Sequence, residues 1–317
     1  MRRRWLMVAM LALGIVAPLT ACAYGGRGPV STVTISPRVS DYDVSLSSGG
    51  LARAYHVHLP PAASAGRPLP LLLALHGRLG DGAGQAKLAS FNTVADRYGF
   101  IVVYPDGYQR SWADGRGTAP ADKAEVDDVA FLGAVLDQVM ASEKVDVSRV
   151  YAAGMSNGGF MTERLGCDLA KRFAAIAIVA ANFDQKLAAR CAPAHPLPVL
   201  LIHGSDDPLV PDAGGPLDGE PVLSTADAVA RWVELAGCRG APAVAQLPTL
   251  VDDGTSVTRS TYSGCAGGAR VVYYDVTGGG HTWPDGLQYL PASIIGKTSR
   301  NLDASDAIWR FFRGDHL

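Results

Sequence analysis

The apolar positions in the middle of the chain fall into continuous runs rather than alternating ones. Five such runs stand out: "PLPLLLALHG" (68–77), "FIVVYPDG" (100–107), "RVYAAGMS" (149–156), "FAAIAIVAAN" (173–182) and "PVLLIHG" (198–204). A strand with one wet face alternates, so a run without alternation is a strand covered on both faces. Among the runs lie segments with apolar residues three and four apart. That spacing predicts helices over 87–99, 126–142, 225–237 and 301–314, with a further strand over 269–279. Asp127 and Asp128 open the second of these helices and are read as structural, since carboxylates suit the positive end of a helix. Two candidate strands near the start, 42–48 and 52–60, read as an antiparallel hairpin. Alternating strand and helix predicts an α/β fold, a mostly parallel central sheet flanked by helices in a single domain over 41–317. In such a sheet the residues that carry chemistry collect at the C-terminal ends of the strands.

The first residues depart from this pattern. "MRRRWLMVAMLALGIVAPLTAC" has three arginines, an apolar segment, then small residues, which is the make-up of an export signal. Leu19-Thr20-Ala21-Cys22 resembles the lipobox of bacterial lipoproteins, in which the cysteine is lipidated and becomes the first residue. The expectation is a signal peptide over 1–21, a lipidated Cys22 with a turn-rich tether to residue 40, and a membrane-attached, exported domain.

Composition sharpens that expectation. The 317 residues are 48% hydrophobic and 18% charged with a net charge of −2, enough apolar material for a large core. No basic stripe or lysine-rich tail is present, so a nucleic-acid partner is not expected. Besides Cys22, four cysteines remain: Cys167, Cys191, Cys238 and Cys265. An even number in an exported chain points to two disulfides. Sequence neighbours, Cys167–Cys191 and Cys238–Cys265, are the favoured pairing because each closes a modest loop. No CxxC spacing suggests a metal or redox site. His56 and His58, two apart on a strand, share a face; with no third ligand evident they read as an exposed strand face, and neither a catalytic metal nor another cofactor is expected.

Three residue types then fall at strand ends. Ser156 ends the third run, inside Gly154-Met155-Ser156-Asn157-Gly158, where small residues two before and two after the serine suit a very tight strand-to-helix turn. Asp206 and Asp207 follow the fifth run, and Asp207, before Pro208 in "HGSDDP", is favoured as the functional acid. His281 follows the last strand in "GGGHTWP". A serine hydroxyl is a weak nucleophile and needs an adjacent base; an imidazole can take and return the proton; a carboxylate holds the imidazole in the right tautomer. Ser156, Asp207 and His281 are therefore the candidate catalytic residues, in the chain order of α/β-hydrolase triads. His76 and His203, each before a glycine at a strand end, read as structural. Oxyanion donors are expected from the backbone N–H of Asn157 and of Arg78, with Leu79 as the neighbouring candidate for the second.

The segments "LHGRLGDG", "YPDG" followed by Trp112, "VDDVAFL", "GMSNGG", "HGSDDPLVP" and "GGGHTWP" together resemble the α/β-hydrolase esterases that group feruloyl and acetylxylan esterases with polyhydroxybutyrate depolymerases. With the lipobox, the likeness is greatest to the depolymerase-like lipoprotein esterases of bacteria. The resemblance implies the triad Ser156, Asp207 and His281, and Trp112 and Trp283 lining or supporting the cleft. It also implies a disulfide matching Cys238–Cys265. One departure is that many depolymerase-type members carry cysteines where this chain reads "WADGRGTAP". The function implied is carboxylic ester hydrolysis through an acyl-enzyme, on small or oligomeric esters. Acyl transfer and short-peptide hydrolysis on the same fold are the alternatives among enzymes. A non-catalytic binding protein is the alternative outside them.

Overall fold

A computed structural model describes residues 41–315. The strands are β1 (Tyr42–Ser48), β2 (Leu51–His58), β3 (Leu69–Leu75), β4 (Ile101–Pro105), β5 (Val145–Met155), β6 (Ala175–Val179), β7 (Val199–Gly204), β8 (Gly215–Leu217), β9 (Glu220–Val222), β10 (Ala243–Gln246), β11 (Ser256–Tyr262) and β12 (Val271–Thr277). The helices are α1 (Gly82–Ala89), α2 (Phe91–Tyr98), α3 (Pro120–Lys123), α4 (Asp128–Ser142), α5 (Asn157–Asp168), α6 (Gln185–Arg190), α7 (Thr225–Leu235), α8 (Ala292–Ile295) and α9 (Ala304–Phe312). Ten strands form one sheet in the order β1-β2-β4-β3-β5-β6-β7-β12-β11-β10, and β8 and β9 form a separate hairpin. The six central strands from β4 to β12 run parallel. The two edges, β1-β2 against β4 and β10-β11 against β12, are antiparallel.

The two-sided burial expected of the apolar runs has a simple origin in β3. Leu71, Leu73 and Leu75 point into one core, with Phe131 and Leu132 of α4, Phe160 of α5 and Trp232 of α7. Leu72 and Ala74 point into the other, with Phe91 of α2 and Trp309 of α9. Successive side chains of a strand point to opposite faces, so every residue of β3 is buried. Truncating Leu73 to alanine costs about 2–5 kcal/mol on this account. The fold is thus the expected α/β arrangement.

One local expectation differs from the structure, and one pair of strands is not among those expected. The helix expected over 87–99 is broken at Ser90, which takes a left-handed φ of 52° between α1 and α2. The Ser305 hydroxyl donates to the carbonyl of Ala89 at 2.5 Å, occupying an acceptor that a continuous helix would use. The antiparallel pair β10–β11 carries no long apolar run, because Val257 is the one fully buried residue in it.

The structure links Cys167 at the end of α5 to Cys191 after α6, and Cys238 after α7 to Cys265 after β11. These loops span 24 and 27 residues, and closing loops of that size stabilises a domain by roughly 2–4 kcal/mol each. Both pairs are those favoured from the sequence, and they suit an oxidising compartment. Cys22 and the segment 1–40 lie outside the described residues.

Candidate active site

Ser156 occupies the one-residue step between β5 and α5, with φ 57° and ψ −125°. A left-handed φ is costly for a residue with a Cβ, and the surroundings hold it there. Its N–H donates to Val179 O of β6 at 2.9 Å, and its carbonyl accepts the N–H of Phe160 at 2.9 Å. The flanking glycines are required sterically: a Cβ on Gly154 would stand 2.2 Å from Gly158 O, and one on Gly158 would stand 2.5 Å from His76 O. The loop after β3 rides directly over the serine, since a Cβ on Gly77 would lie 3.4 Å from Ser156 Cβ.

Two strands along, β7 and β12 deliver an acid and an imidazole. His281 Nδ1 lies 2.7 Å from Asp207 Oδ2, with both side chains almost wholly buried. The other carboxylate oxygen accepts the N–H groups of Leu209 and Val210, each at 2.8 Å. Asp207 is therefore held as an acceptor on both sides, so Nδ1 carries the proton toward it. The structure brings Asp207, and not Asp206, to the histidine. Asp206 accepts from the Ser205 hydroxyl at 2.8 Å in an exposed loop. Among the described residues no hydrogen bond is made by His281 Nε2. The backbone of His281 is clamped from both directions: its N–H donates to Ile295 O at 2.6 Å, and its carbonyl accepts from the Tyr289 hydroxyl at 2.9 Å. Burial, and then the charge of Asp207, push the Tyr289 phenol up to about 12. It keeps its proton to donate at neutral pH.

The opposite wall is built on His76. Its Nε2 accepts the N–H of Gly107 at 2.9 Å and its Nδ1 donates to Gly77 O at 2.8 Å, so both ring nitrogens are committed to backbone. Burial is the main cause holding its pKa below the usual imidazole value. His203 is likewise structural, with Nε2 on Val210 O at 3.0 Å and its pKa lowered chiefly by burial. Trp112 packs against His76 with the rings tilted 39° and their centres 4.8 Å apart, and it donates its indole N–H to His76 O at 2.8 Å. These contacts fix residues 76 and 77 and, with them, the direction of the next peptide. The N–H of Leu79 is spent on Arg110 O at 2.8 Å. Leu79 is thereby removed as a donor to a ligand, and Arg78 is left.

Sequence reasoning credited Asn157 with a backbone role and missed its side chain. Its Oδ1 accepts from Trp112 N–H at 2.7 Å, while its Nδ2 donates to Trp112 O at 3.0 Å and to Asp114 Oδ2 at 2.6 Å. Asp114 in turn holds the buried Arg116, whose guanidinium lies 3.8 Å from the centre of the Phe160 ring. This ion pair braces the segment "WADGRGTAP". No sequence signal marked it, because Asp114 and Arg116 look like ordinary loop residues until burial pairs them.

Trp112 and Trp283 are 0% and 1% exposed, which fits the supporting one of the two roles that the resemblance implies for them. Trp283 packs edge-on against Phe91 and donates to the Ser305 hydroxyl at 3.0 Å. His58 is not on an exposed face. It is buried between Asp41, at 2.9 Å, and Asp96, at 3.1 Å, whereas His56 reaches Asp43 at 2.9 Å. Among the described residues no group of three or more histidines, cysteines and carboxylates is placed to hold a metal ion. Asp127 caps α4 by accepting from Ala130 N–H at 2.9 Å. Asp128 is buried against Arg53 at 2.7 Å, which fits the structural reading of both.

A serine on a strained elbow, glycine-packed beneath a backbone loop, with a buried carboxylate–imidazole pair at the same edge of a parallel sheet, is the make-up of an α/β-hydrolase esterase. Residues 53–213 match the model of the family described as Esterase PHB depolymerase, and the chain belongs to that family. It is similar to "Putative esterase NocK" of Nocardia uniformis subsp. tsuyamanensis, 34% identical over 91% of this chain and 85% of that protein. It is also similar to feruloyl esterase C of Emericella nidulans, 28% identical over 98% of this chain and 99% of that one. Acetyl xylan esterase from Aspergillus awamori shares the fold, with a TM-score of 0.53 and 16% identity over 77% of this chain and 94% of that one. The chain is a carboxylic ester hydrolase.

Proposed function

We propose that the chain is an exported serine esterase that works through an acyl-enzyme on Ser156. The observation that carries this reading is the buried Asp207–His281 pair, 2.7 Å apart, with Nδ1 engaged and Nε2 left for a proton. In the first half-reaction His281 Nε2 takes the Ser156 proton as the hydroxyl oxygen attacks the ester carbonyl. The negative charge that develops on the ester carbonyl oxygen is received by the N–H groups of Asn157, at the start of α5, and of Arg78, whose peptide the His76–Trp112 brace directs. The imidazolium then protonates the departing alcohol, and Asp207 stabilises that cation without taking its proton. In the second half-reaction His281 deprotonates a water, which attacks the acyl carbonyl, and the imidazolium returns that proton to the Ser156 oxygen as the acid is released.

The names of the similar enzymes point to feruloyl or acetyl-sugar esters, and the family to hydroxyalkanoate esters. The reading for this chain is a small or oligomeric ester of that kind. Its lipobox-like Cys22, which lies outside the described residues, supports attachment to a membrane after export. The test is Ser156→Ala, which leaves the imidazole and the donors in place. Turnover of a short-chain ester is expected to fall by about 10⁶. A fluorophosphonate is expected to label the parent on the peptide containing "GMSNGG" and to leave the variant unlabelled. Full activity in the variant, or labelling at another serine, ends the proposal.

A further inference from the structure

We infer that the β8–β9 hairpin is a strap across the mouth above Ser156, latched by the ion pair Arg78–Asp218, and that it selects substrates by size. This rests on the reading of Ser156 as nucleophile.

The sheet order alone places the hairpin. In the sequence of strands β3-β5-β6, the step from β5 to α5 carries Ser156 between the exits of the other two. The hairpin is rooted at the β6 exit. Val222 pairs with Asp184, Leu223 N–H donates to Phe183 O at 2.8 Å, and Lys186 holds Glu220 at 2.6 Å. Val222 is buried in the core and Leu217 packs against it, so the base is fixed. The tip lies on the β3 side: Asp218 Oδ2 accepts from Arg78 Nη1 at 2.9 Å. A segment rooted beyond β6 and tied beyond β3 has to cross the end of β5. The tip residues Asp218 and Gly219, with φ of 51° and 90°, form the tight two-residue turn that keeps the hairpin narrow enough to do so.

The two ends of the strap are held unequally. The root is buried and packed, whereas the latch is an ion pair with side chains 41% and 50% exposed. Exposed pairs of this kind shift an equilibrium only modestly, so the tip can part from Arg78 at small cost while the root stays seated. Closed, the strap limits the mouth to compact esters. Parted, it admits a bulky acyl or alcohol group. Arg78 joins the latch to the proposed reaction, because its side chain holds the strap and its backbone N–H is the second oxyanion donor of that reading.

The test compares kcat/KM for p-nitrophenyl acetate with that for a p-nitrophenyl naphthoate. Asp218→Ala is expected to raise the naphthoate-to-acetate ratio about two- to fivefold, the scale of one exposed ion pair. The like charges of Asp218→Arg should raise it further, and the reversed pair Arg78→Asp with Asp218→Arg should return it to the parent value. In about 1 M sodium chloride, where screening acts over about 3 Å, the parent ratio should rise while that of Asp218→Ala stays put. A ratio unchanged in all variants overturns the strap. A rise that the reversed pair fails to undo, or that salt fails to reproduce, overturns the latch. Fluorophosphonate labelling of Ser156 in every variant separates these outcomes from failure of the esterase reading itself.

Discussion

Two buried histidines at ends of parallel strands, each beside glycine, have opposite assignments, and the difference lies in what occupies their second nitrogen. His76 spends both nitrogens on backbone groups, Gly107 N–H and Gly77 O, and its neutral ring is a brace for the loop over Ser156. His281 spends one nitrogen on a fixed carboxylate, and among the described residues the other makes no hydrogen bond. A ring with both nitrogens engaged cannot accept a proton without giving up a bond. A ring with one nitrogen open and the other on a carboxylate is prepared to accept one. Burial is almost the same, 1% and 3% exposed, so burial does not distinguish a brace from a base.

The most severe way to break the comparison is to remove what orients His281. Asp207→Asn keeps an acceptor for the Leu209 and Val210 N–H groups but turns an amide toward Nδ1, favouring the wrong tautomer. Turnover is expected to fall by about 10⁴ with the fold retained. Asp206→Asn, whose side chain accepts from the Ser205 hydroxyl in an exposed loop, should cost far less. Steady-state kinetics on both variants checks the ranking, and the reverse order would transfer the acid role to Asp206.

A smaller effect on turnover is expected from the brace. His76→Ala leaves the Gly107 N–H without its acceptor and removes the ring against which Trp112 packs, which should cost about 1–3 kcal/mol of stability. Turnover should fall by no more than about 10²–10³, the worth of one misdirected oxyanion donor. Chemical denaturation and kinetics together test it. A loss of activity as deep as that from Ser156→Ala, with stability intact, would make His76 a participant in proton transfer.

The mildest test concerns a charge that the helix behind Ser156 does not carry. Glu163 of α5 is wholly buried, and among the described residues neither carboxyl oxygen is in good hydrogen-bonding geometry with a donor. Burial pushes it well above its ordinary value of 4.5, against weaker pulls from Trp232 and Arg116. The folded state therefore keeps a proton that the unfolded chain loses above that value. This group's contribution to stability is full below the unfolded value and declines as pH rises toward the folded one. Glu163→Gln has no proton to lose, so its melting temperature relative to the parent should be higher at about pH 8 than at about pH 4. A difference independent of pH would show that Glu163 is ionised in the fold.

The large features were legible because they follow from short-range rules. Unbroken runs such as "PLPLLLALHG" can only be strands covered on both sides, and Gly154 and Gly158 around Ser156 mark a turn that nothing larger fits. The cysteine pairing followed from loop length, and the order of serine, acid and histidine from where the strands end. The rest depends on approach in space. The place before Pro208 favours Asp207 over Asp206 in the sequence, but the contact that separates the two carboxylates, 2.7 Å to a histidine 74 positions away, exists only in the fold. The Asp114–Arg116 brace, the side-chain role of Asn157 and the tie from Arg78 to Asp218, 140 positions on, are likewise products of the fold. Charge and hydrogen-bonding capacity are properties of a residue, but whether they are used, and on what, is decided by which groups the tertiary structure buries together.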